Sequence, residues 1–321
     1  MHGAGTVAGV GRDPEYLAFA RGVAAAVQKQ AAAAPRVSHE RVSHRFGMLS
    51  LHQPPVAEVD DLHVDGGDGP LAARLYRPLG PGEDRTGLVF FHGGGFYLGD
   101  VECYDAVCRV IANATGAAVL SVGYRLAPEN PFPAAVEDAH AATLWAARNA
   151  DALGFDRIGV AGDSAGANLA TVVAQRARDE GGPALAVQLL VYGPYDLTRE
   201  PATVDDPDGL VMADGDLTDV ARRYLGEADG HHPWASPLLH PDLSGLPPTV
   251  LAHAEYDRLR PQGEEYAARL RAAGVPVTEV PGTGLDHAYL AWGQFAARPR
   301  EAIAEIGAAT RATLDGVPQA G

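Results

Sequence analysis

The sequence predicts an α/β protein built on a mostly parallel, doubly wound sheet, and three observations carry that expectation. Short, mainly apolar runs at Leu88–Phe91 and Val119–Val122 are as expected of strands buried on both faces, and further strands are read at Ile158–Ala161 and Val187–Tyr192. Helical patterns separate them, at Cys103–Thr115, at Ala134–Ala150 and after Ser164; strand–helix–strand alternation at this spacing gives parallel pairing. With 321 residues and 46% hydrophobic content, the chain can fill a sizeable core and is read as one domain over 1–321.

The remaining elements follow in order. Asp13-Pro14 opens a helix running to about Ala34, with Leu17, Ala20, Ala24 and Val27 along one stripe, and Pro35 ends it. Val37–Pro55 has no clear period. Its histidines, His39, His44 and His52, with His63 beyond, match no ligand spacing, so they are read as solvated or structural, and no metal or cofactor is expected. Val59–Val64 and Leu71–Tyr76 alternate across the Asp65–Gly69 turn as a hairpin at one sheet edge. The alternation breaks between Asp196 and His232, a stretch holding the acidic turn Asp205–Gly209 and one helix at Asp216–Leu225, and this is read as an insertion. A strand at Thr249–His253, a helix at Gly263–Ala273, a strand at Val275–Val280 and a helix at about Arg300–Leu314 complete the chain.

Composition excludes some classes. A formal net charge of −16 opposes nucleic acid and anionic membrane surfaces. The apolar stretch Val23–Ala34 is interrupted by Gln28, Lys29 and Gln30 and is too short to span a bilayer, so no stable membrane insertion is expected. The N-terminus lacks a basic region followed by an apolar run, which makes a cytoplasmic location the expectation. Cys103 and Cys108 suggest neither a disulfide framework nor a cysteine metal site.

The candidate chemistry starts at Gly162-Asp163-Ser164-Ala165-Gly166, a Gly-x-Ser-x-Gly between a strand pattern and a helix pattern. A serine hydroxyl is a poor nucleophile without an adjacent base and a third group to orient that base. In a parallel sheet such groups sit at the carboxyl ends of strands, which selects Asp257 and His287. Glu255 is the more serious rival acid, ahead of Asp286 and Asp242; His253 and His231-His232 are the rival bases. The run His92-Gly93-Gly94-Gly95-Phe96 follows a buried strand, where a linker is out of place. Its backbone N–H groups suit a developing alkoxide, and it lacks the motifs of a phosphate loop. The order Ser, Asp, His is that of the α/β-hydrolase fold.

With Tyr124-Arg125-Leu126-Ala127-Pro128-Glu129, Phe132-Pro133-Ala134 and Ser236-Pro237-Leu238, these motifs resemble the hormone-sensitive-lipase-like family of α/β-hydrolases, a bacterial esterase group, from Leu88 to the last helix. The resemblance implies an oxyanion hole from the amides of the glycine run Gly93, Gly94 and Gly95, Gly94 and Gly95 foremost, with Ala165 as the third donor. It also implies an α-helical cap from about 1–52 plus the insertion at about 196–232. It favours a serine carboxylesterase acting on short acyl or aryl esters; a lactone, carbamate or amide substrate and a non-catalytic small-ligand receptor are the other readings. Phe96, Tyr195 and Tyr289 are the candidate substrate-binding residues, with Phe46 and Trp234 as further aromatic candidates. The partner expected is a small-molecule ester; a homodimer is common in the family, but no exposed apolar pattern demands one. The chain departs from the family with Pro261 where an acid is frequent, and with Ala288-Tyr289 where Gly-Phe often follows the histidine.

Overall fold

Runs dominated by Leu, Val and Phe are shielded where both faces of a strand are covered, and they lie at such places. In the computed structural model, which describes residues 11–33, 53–80, 85–208, 210 and 214–317, every residue of β3 (Thr86–Phe91) and of β4 (Ala118–Val122) is buried. β1 (Glu58–Gly66) and β2 (Gly69–Arg77) mix exposed and buried positions and form the expected antiparallel hairpin. With β5 (Arg157–Asp163), β6 (Leu185–Val191), β7 (Thr249–Ala252) and β8 (Val277–Val280) they make an eight-stranded sheet in the order β1-β2-β4-β3-β5-β6-β7-β8. From β4 to β8 all neighbours are parallel. The winding reverses around β3, and open sheets bind ligands beyond the strand ends at such a reversal.

The described helices are α1 (Pro14–Ala33), α2 (Asp105–Thr115), α3 (Ala134–Arg148), the short α4 (Ala150–Leu153), α5 (Ala165–Asp179), α6 (Asp214–Leu225), α7 (Arg260–Ala272) and α8 (Ala297–Asp315). One sheet face is covered by α3, α5 and α7, through residues such as Val136, Leu169, Val173 and Tyr266. The other is covered by α2, α8 and the start of α1, through Ile111, Ile303, Ile306 and Tyr16.

Several boundaries differ from expectation for local reasons. α7 begins at Arg260, three residues early, because Pro261 sits in its first turn, where a missing N–H breaks no helical bond. β8 begins two residues late, since the Val275 N–H turns back to the Leu270 carbonyl at 3.0 Å. The 3₁₀ turns Pro237–Leu239 and Tyr289–Trp292 have too few residues to show a period. Of the sequence expectations, Phe46, His39, His44, His52 and most of the N-terminal cap segment lie outside the described residues. His63 is exposed on β1, and both cysteines are buried and outside any disulfide among the described residues.

One buried carboxylate locks the edge hairpin to the sheet. Asp138 on α3 accepts the Gly67 N–H at 2.8 Å, the Arg125 N–H at 2.9 Å, and both Arg125 Nε and Nη2 at 2.9 Å. The turn of the hairpin and the Tyr124-Arg125 loop therefore share one anchor. Removing one partner of a buried, hydrogen-bonded ion pair costs about 3–5 kcal/mol. Asp138→Ala is expected to lower unfolding stability by about that amount, read as a reduced urea midpoint at unchanged slope.

Candidate active site

The serine is presented by a turn that only particular residues permit. Ser164 has φ 50° and ψ −120°, a strained conformation at the junction of β5 and α5. A Cβ on Gly166 would overlap the Phe91 carbonyl, and one on Gly162 would overlap the Gly166 carbonyl. Both glycines of the pentapeptide are thus required by close packing of helix on strand. The turn leaves Ser164 partly exposed at the carboxyl end of the sheet.

The pairing of β7 with β8 continues beyond both strands and carries the acid and the base with it. The His253, Glu255 and Tyr256 N–H groups donate to the carbonyls of Val280, Gly282 and Leu285 at 2.8, 3.1 and 3.0 Å. A bridge between Tyr256 and Asp286 follows. Asp257 and His287 come next, and His287 Nδ1 lies 2.7 Å from Asp257 Oδ2 while Nε2 lies 2.9 Å from Ser164 Oγ. The rivals are occupied elsewhere. Glu255 accepts the Gly284 N–H at 2.6 Å, Asp242 caps the Ser244 N–H at 2.8 Å, and Asp286 binds Arg12 and Tyr16. His253 faces Glu279 at 2.7 Å, and His231 and His232 are exposed.

The glycine run leaves β3 directly beside the serine. Gly94 has φ 113° and Gly95 has φ 63°, and both line the cavity over Ser164 with Ala165. Gly93 departs from the expectation: its N–H is spent on Asp163 Oδ1 at 2.8 Å. The amides of Gly94, Gly95 and Ala165 have no acceptor among the described residues. His92 is a structural piece of the loop, stacked on Tyr124 at 4.3 Å with Nδ1 2.7 Å from the Gly93 carbonyl oxygen. Burial lowers its pKa to about 4, so it stays neutral.

Asp163 is a further candidate for the site that its sequence pattern does not single out. It occupies an unspecified position of the pentapeptide; the one signal was an acid ending an otherwise apolar strand. Besides Gly93, it faces the Tyr192 and Tyr104 hydroxyls at 3.3 and 3.4 Å. Burial raises its pKa to about 6, against the lowering effect of the Gly93 amide, the His287 charge and the two tyrosines. The effect on His287 is reciprocal. Burial disfavours the imidazolium, but the charge and hydrogen bond of Asp257, aided by the charge of Asp163, outweigh it and lift the His287 pKa above the usual histidine value.

A cavity of about 340 Å³ opens above Ser164 and His287. Its far wall comes from the 196–232 insertion: Leu197–Pro201 and Thr218, Val220 and Ala221 of α6. Of the aromatic candidates, Phe96 lines it, with its ring stacked 3.7 Å from Tyr224 at the end of α6. Tyr195 and Tyr289 do not line it. Tyr195 is fully buried against Tyr266 at 4.9 Å, and Tyr289 packs edge-on to Tyr192 at 5.2 Å. Trp234 lies elsewhere under Arg176 at 4.1 Å. Tyr195 and Tyr289 neighbour the cavity residues in sequence, but their rings fill the core, while Trp234 is half-buried and away from the cavity.

Comparison with known proteins gives the same fold and a consistent chemistry. The family described as the alpha/beta hydrolase fold matches residues 88–291. The chain is 42% identical over 270 residues to esterase LipI of Mycobacterium tuberculosis, covering 82% of this chain and 84% of that protein. It is also 42% identical to the carboxylic ester hydrolase LipN of the same organism, over 81% of this chain and 72% of that one. Among solved structures, a hyperthermophilic esterase from the archaeon Pyrobaculum calidifontis superposes with a TM-score of 0.82 at 38% identity, covering 94% of this chain and 99% of that one.

The reciprocal shifts give a pH prediction. Only neutral imidazole can accept a proton, so the acid limb of kcat/KM is expected to have its midpoint above the ordinary histidine value of about 6.5. Asp163→Asn removes a negative charge that favours the imidazolium, and the limb should move to lower pH in a full pH–rate profile.

Proposed function

The chain belongs to the hormone-sensitive-lipase-like family of esterases with the α/β-hydrolase fold, and from that premise we propose that it is a serine carboxylesterase acting on short acyl or aryl esters. The observation that carries the mechanism is the relay from Ser164 Oγ through His287 to Asp257, with contacts of 2.9 and 2.7 Å, beside uncommitted backbone amides. Asp257 holds the His287 Nδ1–H, which leaves Nε2 to accept the Ser164 proton as the hydroxyl attacks the ester carbonyl. The oxyanion of the tetrahedral intermediate is held by the amides of Gly94, Gly95 and Ala165. The imidazolium then protonates the leaving alcohol. Water, deprotonated by the same His287, attacks the acyl-enzyme and releases the acid.

The insertion serves as the cap, since it walls the cavity opposite Ser164. Its volume of about 340 Å³ is at the small end of ligand sites, which run from about 300 to 1,000 Å³, and this supports short acyl chains over long ones. Cys103 and Cys108 are buried thiols outside any disulfide, in keeping with a reducing, cytoplasmic compartment. No described helix is long and apolar enough to cross a membrane.

Turnover of p-nitrophenyl acetate and butyrate by the wild type, compared with Ser164→Ala, tests the nucleophile. The variant is expected to lose at least about 10³-fold in kcat, and equal rates would refute the assignment. His287→Ala should be similarly inactive, whereas His253→Ala should keep its kcat and only lower the melting temperature. Rates should fall from butyrate to palmitate esters.

A further inference from the structure

Arg12 lies outside the cavity, yet it touches the residue that precedes each of the two triad partners. Its guanidinium lies 3.9 Å over the ring of Tyr256, next to Asp257. Nε binds Asp286, next to His287, at 3.1 Å, and Nη2 binds the same carboxylate. Nη1 takes Asp206 at 2.7 Å and Asp208 at 2.8 Å, both in the insertion. The arginine side chain is fully buried. Its own placement is fixed: Asp13 accepts the Tyr16 N–H at 3.0 Å as the cap of α1, the Tyr16 hydroxyl binds Asp286 at 2.9 Å, and Gly284 packs against Gly11–Asp13.

From this arrangement we infer that Arg12 is a positioning residue: it clamps the loops bearing Asp257 and His287 at the spacing their hydrogen bond needs, and ties that spacing to the insertion. Exposed ion pairs contribute little, but here the N–H edges of a buried planar fork have their own carboxylates and one face lies on the Tyr256 ring, so the group fixes directions as well as distances. The Tyr256–Asp286 bridge is the last backbone link before the triad side chains, and Arg12 holds both of its members from outside. Misplacing a reacting group by about 1 Å can cost about 100-fold in rate.

The clamp rests on the triad reading above, and its test separates the two. In the full chain, kcat and KM are measured with p-nitrophenyl acetate, and the low-field proton resonance of the His287–Asp257 hydrogen bond is recorded without substrate. Arg12→Gln is expected to lower kcat about tenfold or more with KM changed less than about threefold, and to shift or broaden the resonance. Asp286→Ala cuts the same link from the other side and should do the same. Arg21→Gln removes an exposed arginine that also binds Asp208, at 2.9 Å, and should leave kcat and resonance unchanged. A folded Arg12→Gln protein with wild-type kcat and resonance overturns the proposal; if that variant fails to fold, the same result for Asp286→Ala overturns it. A wild type that shows the resonance but hydrolyses no ester would sink the ester reading, while loss of that resonance in Arg12→Gln would still support the clamp.

Discussion

The structure turns on the contact between α5 and β3, where Gly166 lies against the carbonyl of Phe91 with no room for a Cβ. That contact sets the helix on the end of the sheet and forces the turn that strains Ser164. Phe91 is also the last residue of β3, so the His92–Gly95 loop leaves the sheet from the same point. The proposed nucleophile and the proposed oxyanion donors are therefore two products of one packing constraint, and neither can shift without the other.

Buried charge is managed unevenly in this acidic protein. Asp138 meets Arg125, and Asp105 meets Arg74 and Arg109, as buried carboxylates generally require. Among the described residues, Asp163 has only neutral donors, a backbone amide and two tyrosine hydroxyls. Its carboxylate has no permanent cation among the described residues, and the positive charge that would relieve it is the one the proposed mechanism places on His287. A preorganised negative charge of this kind favours the state in which the proton has moved.

Much of the fold was legible because its strands are mainly apolar runs, and the juxtaposition of Ser164, Asp257 and His287 follows from strand ends and chain order. What was illegible depended on direction. Tyr195 and Tyr289 are sequence neighbours of the site, but their rings point into the core against Tyr266 and Tyr192. Gly93 sits in the right run with its amide already engaged. Asp163 was hidden by a pattern that leaves its position unspecified. Arg12 was beyond reach because its partners, Asp206, Asp208 and Asp286, are about 200 and 270 residues away along the chain, at separations of 194, 196 and 274.

The paired stretches after β7 and β8 also determine where the chain can change length. Between Pro281 and Asp286 the chain is tied to Glu255 and Tyr256 through Gly282, Leu285 and Asp286, so one added or deleted residue there would turn His287 away from Ser164. The cavity wall from Leu197 to Ala221 is attached at scattered points instead, such as Phe96 on Tyr224 and Arg12 on Asp206. Related sequences can therefore lengthen or shorten that wall, and with it the range of esters admitted, while the catalytic loops stay the same length.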